Sequence, residues 1–126
     1  MAGGKLDGTG ALKMKTLEEA LVRVQTIHGH VERMAIDVKN QRGAGMIPQQ
    51  VKRMAGSLQG QLKGQFGAIA DQVSALILAT GRGGSDQLKV RAFRESVAQI
   101  RQALEITATR VQEHHTLSNE SVKGAE

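Results

Sequence analysis

Apolar residues recur along this chain at alternating steps of three and four, and three stretches of that pattern divide it. In the first, Leu17, Leu21, Val24, Ile27, Val31, Met34 and Val38 fall on one side of a helix. The second carries Val51, Met54, Leu58, Leu62, Phe66, Ile69, Val73, Leu76 and Thr80. The third carries Val90, Phe93, Val97, Ile100, Leu104, Thr107, Val111 and His114. Such spacing predicts coiled-coil-like helices. In the second stretch the successive steps of four from Leu58 to Leu62 to Phe66 break the heptad, a stutter that relaxes a left-handed supercoil locally.

The boundaries have their own signals. Thr16 and Glu19 have the spacing of a capping box. "RGAGMIPQQ" supplies Gly43 and Gly45 to stop the first helix, Pro48 for the opening of the second, and Met46 with Val51 spaced as a hydrophobic staple. "ATGRGGSDQ" supplies a glycine turn and then Ser85 or Asp86 as an N-cap. The reading is all-α: an antiparallel up-down-up three-helix bundle with helices over 17–42, 48–80 and 86–117. It forms one domain over 16–118, with disordered tails at 1–15 and 119–126. The second helix would span roughly 50 Å at the α-helical rise. A rod of that length leaves Ala35, Ala55, Ile77 and Ala108 as flank positions for a partner, and Val22, Ile36 and Leu78 off the stripes altogether.

Composition agrees and narrows the chemistry. A chain of 126 residues, 40% hydrophobic, suits a single core. Proline occurs once and aromatics are limited to Phe66 and Phe93, which favours helix over sheet. Cysteine is absent, which removes disulfides, thiolate metal sites and cysteine catalysis. The opening "MAGGKLDGTGALKMK" lacks the apolar core of a signal peptide, so the cytoplasm is the expected compartment, and no membrane partner is expected.

Four glycines, Gly56, Gly60, Gly64 and Gly67, interrupt the second stretch. If it were one helix, Gly56, Gly60 and Gly64 would lie about 200° from Leu58, Leu62 and Phe66, on the back of the helix. At about 1 kcal/mol per interior glycine relative to alanine, the four would cost roughly 3–4 kcal/mol. Three uses are open: a face against which another backbone packs, a softened site that permits a bend, or a tolerant surface with no use.

The net charge is +5. Arg42, Lys52 and Arg53 gather near the first turn, and Arg82, Lys89, Arg91 and Arg94 near the second, where they are candidates to contact the phosphates of a nucleic acid. Neither tryptophan nor tyrosine is present and both phenylalanines sit on core stripes, which excludes a stacking platform for single strands. Catalytic constellations are missing. His28 and His30 are two apart on a helix and point to different sides, His28 with Glu32 makes two ligands at most, and His114 falls on the third stripe. No cofactor is expected.

The stretch "QLKGQFGAIA" resembles the segment that follows the acceptor in histidine phosphotransfer domains, over a few residues only. Gly60 stands where the acceptor histidine would be, so the resemblance implies no phosphate chemistry. The expected function is that of a non-enzymatic helical interaction or assembly module that pairs with itself, as a dimer or higher, or with another helical protein. The alternative is a basic helical subunit on a nucleic-acid backbone; the third is an adaptor or chaperone-like relative of the phosphotransfer domains.

Overall fold

A computed structural model describes residues 7–115. It contains four helices and, among the described residues, no strand: α1 Gly8–Lys39, α2 Ile47–Leu62, α3 Gly67–Thr80 and α4 Asp86–His114. α1 packs on α2 and α4, α3 packs on the same two, and the diagonal pairs α1/α3 and α2/α4 do not meet. The architecture is therefore an up-down-up-down bundle of four helices in a ring, and not the three-helix rod that the periodicity suggests.

The difference lies at residues 63–66. The stretch expected as one helix over 48–80 stops at Leu62, turns through Lys63, Gly64 and Gln65, and restarts at Gly67 in the opposite direction. Phe66, with φ −133° and ψ 59°, lies outside helical geometry; its N–H donates to Leu62 O at 2.7 Å and its carbonyl accepts from Ala70 N at 3.0 Å. Gln59 Nε2 then bonds the Ser74 hydroxyl and, at 3.4 Å, the Ala70 carbonyl, contacts that a continuous helix would separate by more than two turns. Folding back lets Leu58 and Leu62 share one interior with Ile69, Val73 and Leu76, all buried. Ala55, expected as a flank position, is fully buried, as small residues are where two helices approach closely. Ala35, Ile77 and Ala108 are half-buried, while Val22, Ile36 and Leu78 are exposed as expected.

The long helices frame the molecule. α1 has 32 residues and α4 29, against 16 in α2 and 14 in α3. At 1.5 Å per residue these are about 48, 44, 24 and 21 Å. The loops Asn40–Met46 and Gly81–Ser85 both lie where α1 ends and α4 begins, so the opposite ends of α1 and α4 project beyond the short hairpin as an antiparallel pair. Three side-chain bonds span the pair: Arg94 donates through Nε and Nη2 to Glu32 at 2.8 and 2.7 Å, and Arg101 Nη2 donates to Gln25 Oε1 at 3.2 Å.

Several caps follow expectation and others do not. Ser85 caps α4, accepting from Leu88 N at 3.2 Å, and Pro48 sits in the opening turn of α2. Gly43 and Gly45 turn the first loop with φ of +79° and +57°. The proposed staple does not form, since Met46 is exposed while Val51 is buried. The first helix begins not at 17 but at Gly8, so 8–15 are helical and not a tail. Thr16 lies inside it, its hydroxyl donating to Leu12 O at 3.1 Å. Residues 1–6 of the expected N-terminal tail and the C-terminal tail at 119–126 lie outside the described residues, as do the last residues of the third predicted helix; α4 ends at His114.

Gln41 is the one non-glycine residue with positive φ among the described residues, at 62°, just past the α1 C-cap. A left-handed conformation strains a side-chain-bearing residue and suits glycine at this position. Gln41→Gly should therefore stabilise the protein by roughly 0.5–1 kcal/mol in urea unfolding.

Candidate interaction surfaces

Three features of the surface depart from a uniformly solvated bundle. The first is the end that carries the loops. In a three-helix rod the two basic clusters would lie at opposite ends; in the four-helix ring both loops lie at the same end, and a methyl placed on Gly43 would sit 4.0 Å from Asp86 Oδ2. Arg42, Lys52 and Arg53 thus join Arg82, Lys89, Arg91 and Arg94 around one end. Two of the seven are engaged: Arg42 Nη2 pairs with Asp37 at 2.8 Å and Arg94 with Glu32 at 2.7 Å. The bond from Arg94 holds the Glu32 carboxyl below its ordinary range, and Glu32 in turn raises Arg94. Lys39, absent from the sequence-based set, lines an open groove between α1 and α4 with Arg91, Arg94, Glu95 and the apolar Ala35, Val38 and Val90. Its proximity depends on the antiparallel pairing of α1 with α4, which no local pattern reveals.

The second feature is the outward side of the α2–α3 hairpin. Gly56 and Gly60 face away from the core stripe of Val51, Ala55, Leu58 and Leu62, and a methyl on any of Gly56, Gly60, Gly64 or Gly67 would meet nothing within 4 Å. No backbone among the described residues packs there. Gly64 lies in the reversal and Gly67 opens α3, so the four glycines do not form one helical row. α3 continues the face with exposed Ala68, Ala75 and Leu78, and Asp71 is its one charged residue.

The third feature was not legible in the sequence. At the projecting end Asp7 caps α1, accepting from Gly10 N at 2.6 Å, while its own N–H donates to the His115 carbonyl at 2.8 Å. His115 Nδ1 lies 3.1 Å from Asp7 Oδ2, and Nε2 lies 3.5 Å from Lys13 Nζ. An ammonium can only donate, so this geometry assigns the proton to Nδ1, which donates to the carboxylate. Gly10 is buried against the His115 ring, and a methyl there would overlap the His115 Cβ. The backbone bond from Gly10 is the main cause that lowers the Asp7 carboxyl below its ordinary 3.8, with His115 and Lys13 adding to it. His114, expected on the core stripe, is exposed; His28 and His30 are half-buried.

Among the described residues, no three His, Asp or Glu side chains converge as metal ligands, and no helix is long and apolar enough to cross a membrane. No family model, curated protein or solved structure matches the chain.

Two tests follow from the Asp7–His115 junction. A carboxyl held below 3.8 when folded contributes stability that is complete above that value and is lost as pH falls through the lower folded one. The stability difference between wild type and Asp7→Ala should shrink as pH falls below 3.8; a difference unchanged in stronger acid would contradict the assignment. Gly10→Ala should speed amide exchange at the start of α1 and the end of α4 while leaving the α2–α3 amides protected.

Proposed function

We propose that this protein is a non-enzymatic helical assembly module that pairs with a second copy of itself through the outward side of the α2–α3 hairpin. The observation that carries the reading is the open space over Gly56 and Gly60, beside a helix whose outer surface is Ala68, Ala75 and Leu78 with a single charge. Two interior glycines on an exposed helix face cost about 2 kcal/mol relative to alanine. Small residues four apart let a second backbone approach closely enough for dispersion contacts to offset that cost. A two-fold arrangement suits the face, because it carries charges of both signs that the axis can bring together: exposed Arg53 on α2 can then face Asp71 of the other copy's α3.

The reading separates folding from association. Gly56→Ala and Gly60→Ala together should raise the unfolding free energy of the monomer by about 1–2 kcal/mol, since helix propensity improves and nothing among the described residues clashes. The same pair should weaken the dimer, because the added methyls hold the backbones apart. Sedimentation velocity over a concentration series measures the second effect and urea unfolding of dilute protein the first. A wild-type protein that stays monomeric at every attainable concentration, or a double alanine variant that dimerises as strongly as wild type, would overturn the proposal.

A further inference from the structure

The cations of the loop end carry a second inference, which does not depend on self-association. Residues 29–97 hold ten Lys and Arg against five Asp and Glu, whereas residues 7–28 and 98–115 hold five of each. In the fold the first set is the loop end with the α2–α3 hairpin and the adjoining parts of α1 and α4; the second is the remainder of α1 and α4. The whole excess of +5 is thus displaced toward one end of an elongated molecule. Lys39, Lys52, Arg53, Arg82 and Arg91 are exposed and Lys89 is half-buried, and none of the six takes part in an ion pair among the described residues.

We infer that the loop end binds the phosphodiester backbone of a nucleic acid without reading its bases. The cations are spread around the end: Lys39 and Arg91 border the α1–α4 groove, Arg82 and Lys89 flank the second loop, and Lys52 and Arg53 lie on α2. A flat anionic membrane can meet only one side of such a distribution, whereas a chain of phosphates can follow several. Guanidinium groups suit phosphate oxygens, which they engage through paired donors. Glycines at 81, 83 and 84 leave the second loop without bulky side chains to hold a phosphate chain away. Stacking on unpaired bases is not offered, since Phe93 is fully buried and Phe66 half-buried, so the contacts available are those of cations with phosphates.

The test is fluorescence anisotropy with a short labelled DNA duplex and a single-stranded RNA, both of random sequence, over a range of salt. About five neutralised phosphates on duplex DNA give a slope near −4.5 in log affinity against log salt, a loss of about 500-fold between about 50 and 200 mM. Lys39→Gln, Arg82→Gln, Lys89→Gln and Arg91→Gln combined should weaken duplex binding at least about tenfold and reduce the slope by about 3 to 4. Lys15→Gln, Arg23→Gln and Arg110→Gln, all exposed in the balanced part of the molecule, should change affinity by no more than about twofold. Thermal melts of both variants check that the fold is kept. Binding with no salt dependence, equal losses from the two variant sets, or binding to phosphatidylserine vesicles but to neither oligonucleotide would overturn the inference.

Discussion

The reversal of the chain between Leu62 and Gly67 places every other part of this molecule. Once α2 stops and α3 runs back along it, the apolar side chains of both reach the groove that α1 and α4 leave between them, and a core of four helices closes. The bond from Phe66 N–H to Leu62 O, at 2.7 Å, completes the turn. Gly64 and Gly67 flank Phe66 at positions where a helix former would favour continuation. A single helix over the same residues could cover the α1–α4 seam with one stripe only.

From this reversal follows the polarity of the molecule. Both connecting loops lie at one end, because each joins a long helix to a short one at the point where α1 finishes and α4 starts. The other ends of α1 and α4 project as a pair whose charges balance and whose tip is joined by Asp7 and His115. One end is basic with glycine-containing loops; the other is neutral and closed by a cap shared between two helices. The outward side of the short hairpin lies between them. The two surfaces share Arg53 and otherwise draw on different residues: glycines, alanines and Leu78 on the hairpin face, and Lys39, Arg82, Lys89 and Arg91 at the loop end.

Much of the core was legible from spacing alone. Leu17, Val24, Ile27, Val31, Met34, Val90, Phe93, Val97, Ile100 and Leu104 are all buried where the three-four alternation places them. Ser85 as a cap and Gly43 and Gly45 as a stop were legible because turn chemistry is local. The reversal was not. Apolar positions step by four from Leu62 to Phe66 and by three to Ile69, so the pattern keeps helical phase through a segment that is not helical, and periodicity carries no record of direction. The early start of α1 was hidden in the same way, since Gly8 and Gly10 read as coil until the His115 ring packed on Gly10 is known. The convergence of the basic clusters depends on helix number: with three helices they separate, with four they meet.

Because the chain has no cysteine, one measurement tests the reversal without disturbing it. Spin labels on Asn40→Cys and Gly83→Cys report the distance between the two loops by double electron–electron resonance. Four helices in a ring place the labels within about two helix diameters of one another, roughly 20–25 Å. A narrow distribution in that range is the result this account predicts. A distribution centred near about 50 Å, the length of a continuous helix over residues 48–80, would contradict it.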